Sequence, residues 1–169
     1  MRSMSKSADH EASLRRHLDE LLAGGSAHAD FETAVRGVPE ALRGVRPRGV
    51  DHSLWQLLEH LRLAQWDILE FTRNPRHVSP EFPRGYWPPA VAPDDAAAWE
   101  AAAAGFRSGL DAMRRLVADP ATDLFTPLPH GEGQTVLREA QLVADHNAYH
   151  LGQFVHLRRL LGDWPPPKK

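Results

Sequence analysis

The chain has 169 residues, no cysteine, and 20 Lys+Arg against 22 Asp+Glu. That length suits one domain with a sizeable core. The lack of cysteine rules out disulfides, thiolate metal sites and cysteine nucleophiles. Near-balanced charge argues against a grip on nucleic-acid backbones, and no apolar run approaches the roughly 20 residues of a membrane span. The N-terminus shows no apolar stretch of a secretory signal, so a cytoplasmic protein is expected, in keeping with the absence of cysteine.

Helical periodicity dominates and strand alternation is nearly absent. Residues 1–8 read as a flexible tail, and 9–169 as a single domain. A first helix is expected over Asp9 to Ala23, with Leu14, Leu18, Leu21 and Leu22 as its apolar stripe and Gly24-Gly25 as its stop. A short helix follows from Asp30, which can cap it, to Arg36, with Gly37 after it. The second long helix starts at His52-Ser53, where Ser53 and Gln56 have capping-box spacing, and ends at Asn74-Pro75. Its stripe is carried by Leu54, Leu57, Leu58, Leu61, Ala64, Ile68 and Phe71.

Residues 75–93 form a proline-rich connection holding Phe82, Tyr86 and Trp87. These rings are costly to expose together, so the loop is expected to pack over one end of the bundle. The third long helix spans 94–117, capped by Asp94 or Asp95, with Trp99, Ala103, Phe106, Leu110, Met113 and Val117 inward. A second connection leads to the last helix, 135–161. There Val136, Ala140, Val143, Asn147, His150, Phe154, Leu157 and Leu161 follow the alternating spacing of a bundle seam. Gly162 ends it, and Trp164 to Pro167 reads as a stiff tail. The fold class is therefore all-α: a four-helix bundle with long irregular connections.

Of ten histidines, three stand out. His146 and His150, four apart, share one face of the last helix. His150 is a seam position among apolar neighbours, where a partnerless imidazole costs about 1–3 kcal/mol. His60 flanks the stripe of the second long helix. Three neutral imidazoles meeting at one point, with a position left open, match a catalytic metal site rather than a closed structural one. A buried network in which the histidines bond each other and Asn147 explains the spacing equally well. The zincin His-Glu-x-x-His pattern is not met. His10, His17 and His156 fall on polar faces, His52 reads as solvated, His28 as a local hydrogen-bond partner, and His77 and His130 lie in the connections. Glu59 and Asp145 each precede a histidine of the trio and so lie about 100° round their helices. They and Asp67 are candidates to orient a ligand, and no residue is assigned a catalytic role.

Ser53-Leu-Trp-Gln-Leu-Leu-Glu-His60-Leu-Arg and Asp145-His146-Asn-Ala-Tyr-His150-Leu-Gly-Gln153 resemble the second and fourth helices of the DinB-like (YfiT-like) family of metal-binding four-helix bundles. The opening segment, with Gly-Gly-Ser-Ala-His-Ala-Asp-Phe, is similar to the N-terminal part of one branch. The resemblance covers essentially the whole chain. It implies a divalent ion, zinc or nickel, held by His60, His146 and His150. Such a site leaves the ion its full charge, able to acidify a water or to take a substrate thiolate. The resemblance thus implies a hydrolase or a thiol-dependent S-transferase acting on a small molecule, with a low-molecular-weight thiol as cosubstrate. The alternative is a non-catalytic metal- or ligand-binding bundle of the stress response. An open coordination position separates the two. The resemblance also implies a homodimer, with which surplus aromatics such as Trp55, Trp66 and Trp99 are compatible.

Overall fold

The computed structural model describes residues 2–166 of the chain, so Pro167 of the expected stiff tail lies outside the described residues. Four long helices form where the apolar stripes demanded them: α1 over Arg2–Ala23, α3 over Leu54–Arg73, α4 over Ala96–Ala118 and α5 over Val136–Leu160, with the short α2 at Phe31–Val35. Among the described residues there is no strand, only one isolated bridge between Pro127 and Thr135. Most boundaries fall within two residues of expectation. The exception is α1, which continues back to Arg2, ahead of the start at Asp9.

Local chemistry fixes the ends. Ser53 and Gln56 make the reciprocal capping box at the head of α3. The side chains of Asp30, Asp95 and Thr135 accept from the third backbone N–H of α2, α4 and α5. Gly24, beyond α1, and Gly162, beyond α5, take positive φ, the left-handed conformation that glycine adopts without steric cost.

In the bundle α3 packs against α4 and α5, and α1 packs against the other sides of the same two helices. The apolar core has two clusters. One gathers Leu54, Leu58 and Leu61 of α3 with Trp99 and Phe106 of α4, Phe154 of α5 and Phe31 of α2. The other joins Leu18 and Leu22 of α1 to Leu69, Met113, Val117 and Val143. Between the clusters α3 and α5 place polar residues beside the buried Ala64: Gln65, Asn147, His150 and, one turn before His150, His146. Gln65 donates to the Phe106 carbonyl at 2.8 Å and accepts from Asn147 at 2.8 Å.

The 74–93 connection meets its expectation in part. Trp87 packs against the first cluster, and Tyr86 is half-buried in a 3-10 turn, Arg84–Tyr86. Phe82, expected to be covered with them, is 82 % exposed. The loop is tethered on either side of it, through His77 and through Tyr86, and Phe82 stays outside with the Tyr86 ring 6.1 Å away.

Candidate metal centre

The capping box sets the phase of α3, which turns His60 toward α5. The seam of α5 turns His150 and His146 back toward it. The Nε2 atoms of His146 and His150 each lie 3.1 Å from Nε2 of His60. His60 and His150 are buried and His146 is half-buried. Among the described residues no fourth histidine, aspartate or glutamate joins this group, which could hold a metal ion.

The second nitrogen of each ring decides what the first can do. His60 Nδ1 lies 3.0 Å from the Tyr86 carbonyl oxygen. A carbonyl only accepts, so His60 carries its proton on Nδ1 and presents a bare Nε2. Nδ1 of His150 lies 2.8 Å from Oε1 of Gln153, and with the amide oriented carbonyl-first the same tautomer follows. Two bare nitrogens at 3.1 Å repel unless an electrophile sits between them. A proton is a poor candidate. Burial pushes His60 down to about 4 and His146 down to about 3, helped in each by neighbouring imidazoles, and burial also lowers His150. His146 Nδ1 is buried without a hydrogen bond of good geometry.

The group fits a metal. Three nitrogens at about 2.0–2.1 Å from a tetrahedral zinc stand about 3.3 Å apart, near the 3.1 Å separations here. The hydrogen bonds from Nδ1 to a carbonyl and to an amide are those that orient metal-binding imidazoles elsewhere. Asn147 donates to Gln65 at 2.8 Å, while the three imidazoles contact one another directly.

The remaining candidates separate. Asp145 is exposed, and Glu59 pairs with Arg62 at 2.8 Å, so neither orients a ligand directly. Asp67 does so at one remove. It accepts from the Tyr86 hydroxyl at 2.7 Å and meets His77 Nε2 at 2.7 Å, thereby anchoring the loop whose carbonyl holds His60. Burial and the Asp67 carboxylate raise the Tyr86 hydroxyl to about 12, so it stays protonated. His28 bonds the adjacent Ala29 carbonyl, and His130 bonds the Phe71 carbonyl near the end of α3. His10, His17 and His156 are exposed.

His52, expected to be solvated, is half-buried and stacks on Trp87 at 3.7 Å between ring centroids. The other parallel partner of Trp87 is His60, at 3.8 Å. Trp87, Gln153 and the Tyr86 carbonyl were missed as site groups. Gln153 alone had a legible signal, lying one turn beyond His150 on the same face.

A model of the DinB superfamily matches residues 25–154. The chain belongs to the DinB superfamily. The match takes in His60, His146, His150 and Gln153, and starts after α1. Neither a curated protein nor a solved structure matches the chain. Within this DinB-superfamily bundle no described helix is long and apolar enough to cross a membrane.

Proposed function

We propose that His60, His146 and His150 ligate one divalent metal ion, zinc or nickel, and that the protein is a metal-dependent enzyme acting on a small molecule. The observation that carries this reading is the bare Nε2 of His60 facing two further imidazole nitrogens in a group that no fourth histidine, aspartate or glutamate joins among the described residues. Three ligands with nothing to close the shell favour catalysis over a structural ion. A divalent ion there supplies Lewis acidity to a hydrolysed bond or to the thiol of a low-molecular-weight cosubstrate. The chain's own part is to keep three imidazoles neutral by burial, to aim His60 and His150 through the Tyr86 carbonyl and Gln153, and to shield one side of His60 with the Trp87 ring. Hydrolysis and thiol S-transfer are the two reaction classes proposed, in the cytoplasm.

Metal analysis of purified protein tests the centre, followed by a screen for thiol conjugation and for ester and amide hydrolysis. One ion per chain is expected, and each single alanine variant of the three histidines should lose more than tenfold in affinity. Stoichiometric metal in the triple alanine variant would end the assignment. A stoichiometric ion with no turnover in either screen would favour a non-catalytic binding role instead. We also propose a homodimer. The exposed Trp66, Val78 and Phe82 support it, whereas Trp55 and Trp99 are core residues. Sedimentation as a monomer across micromolar concentrations would refute it.

A further inference from the structure

The groove between α3 and α5 does not stop at the three histidines. On α5, His146, His150, Gln153, Leu157 and Leu160 follow one another at spacings of four, three, four and three, so they lie along one face. On α3, Leu57 lies one turn from His60 on the side toward the helix start. Beyond the histidines, these residues line a cavity of about 380 Å³, within the range of small-molecule sites.

Its chemistry is mixed. Leu57 and Leu157, both buried, belong to the first apolar cluster, and Leu160 stands at the rim with more than half its surface exposed. The turn ahead of α3 supplies the polar side. It closes through Val50 N–H to the Pro47 carbonyl and passes through Gly49 at φ +84°, which favours glycine. This places Arg48 and His52 at the cavity. Arg48 is exposed, with no ion pair or hydrogen bond among the described residues. One face of the His52 ring is covered by Trp87, which leaves the other face or its edge for a guest. His156 adds a further imidazole, while Asp51 on the same rim is an exposed carboxylate. Gln153 is shared, lining the cavity and accepting from His150 at 2.8 Å.

We propose that this cavity binds a small organic acid with a flat apolar body. The ring lies on Leu57 and Leu157 beside His52, and the carboxylate meets the Arg48 guanidinium. Sitting one turn along the groove from the histidines, it is the subsite for the organic part of a molecule that reaches the metal centre. That role rests on the function proposed above, but binding itself does not.

The probe is benzoate, with benzamide and benzylamine as its neutral and cationic counterparts. Each is titrated by NMR into EDTA-treated and zinc-loaded full-length protein. Benzoate should bind saturably to both forms, shifting the His52 and Gln153 side-chain signals, and more tightly than benzamide. Arg48→Gln should weaken benzoate at least fivefold and leave benzamide unchanged. Leu160→Trp, a rim substitution whose fold is checked by its melting curve, should weaken all binding by filling the mouth. Three results would each overturn the proposal: no saturable binding to the metal-free protein, equal benzoate affinity in Arg48→Gln, or tighter binding of benzylamine. Because the metal-free arm reads the cavity alone, a protein that never loads metal but binds benzoate sinks only the metal reading.

Discussion

At the residue level, the proton on each imidazole matters more than its position. His60 has its tautomer set by a backbone carbonyl, which no side-chain substitution in the loop can remove outright. His150 has its tautomer set by the Gln153 side chain, which a single substitution does remove. Gln153→Ala should therefore lower zinc affinity about 10- to 100-fold, the usual cost of losing a hydrogen bond to a metal-binding histidine, without disturbing the fold, since Gln153 is exposed. Competition with a zinc indicator dye reads this directly. Affinity within twofold of the parent would mean the Gln153 contact orients nothing. His156→Ala, nearly one turn past Gln153 and ligating nothing, is the control and should keep its metal. Spacing alone placed His146 and His150 on one face, whereas joining His60 to them rested on the family resemblance, because spacing within one helix says nothing of what another helix brings to it. The Tyr86 carbonyl was not legible, because a backbone oxygen carries no residue type, and its place depends on how the whole 74–93 loop folds.

At the element level, several side chains along α3 hold that loop, Gln56 and His60 through the Pro88 and Tyr86 carbonyls among them. Asp67 ties it through His77 and the Tyr86 hydroxyl. Ser53 both caps α3 and donates to the Val91 carbonyl. Ser53→Ala removes both bonds of a fully buried hydroxyl and should cost about 1–2 kcal/mol, read as a lower chemical-denaturation midpoint. Tyr86→Phe keeps the ring and the His60 contact but loses the hydroxyl's bond to a carboxylate, worth about 1.5–3 kcal/mol. It should loosen the loop, and with it zinc affinity, several-fold. Unchanged zinc affinity in Tyr86→Phe would show that Asp67 holds the loop for stability alone. The helices and caps were readable because each depends on residues within a few positions, as Ser53 with Gln56 and Asp30 with Thr33 show. The exposure of Phe82 was not. Whether a ring is covered depends on which loop residues win the contacts with the bundle, and here Trp87 and the Asp67 tethers do.

Across the whole molecule, the polar layer between the two apolar clusters ties stability to pH. In the unfolded chain each histidine takes up a proton as pH falls through about 6.5. In the metal-free fold, burial holds His60 neutral to about 4 and His146 to about 3, and lowers His150 as well. Between these values the unfolded state binds more protons than the folded one, so stability rises with pH across the window and falls as the medium is acidified. Above about 6.5 these three residues contribute no slope. The same neutrality helps a metal. An ordinary imidazole would surrender a divalent ion below about pH 6, but here protons compete weakly until well under that value. Metal should therefore be retained at pH 5.5, and the zinc-loaded protein should melt higher than the metal-free one, with the gap growing with zinc concentration. Thermal melts of the metal-free protein from pH 7 to pH 4.5 should show a steady fall in Tm. The triple alanine variant, which lacks all three imidazoles, should show a distinctly shallower one. Equal slopes in the two proteins would place the acid sensitivity elsewhere, among the carboxylates and the exposed histidines, and would remove the buried neutral trio as its source.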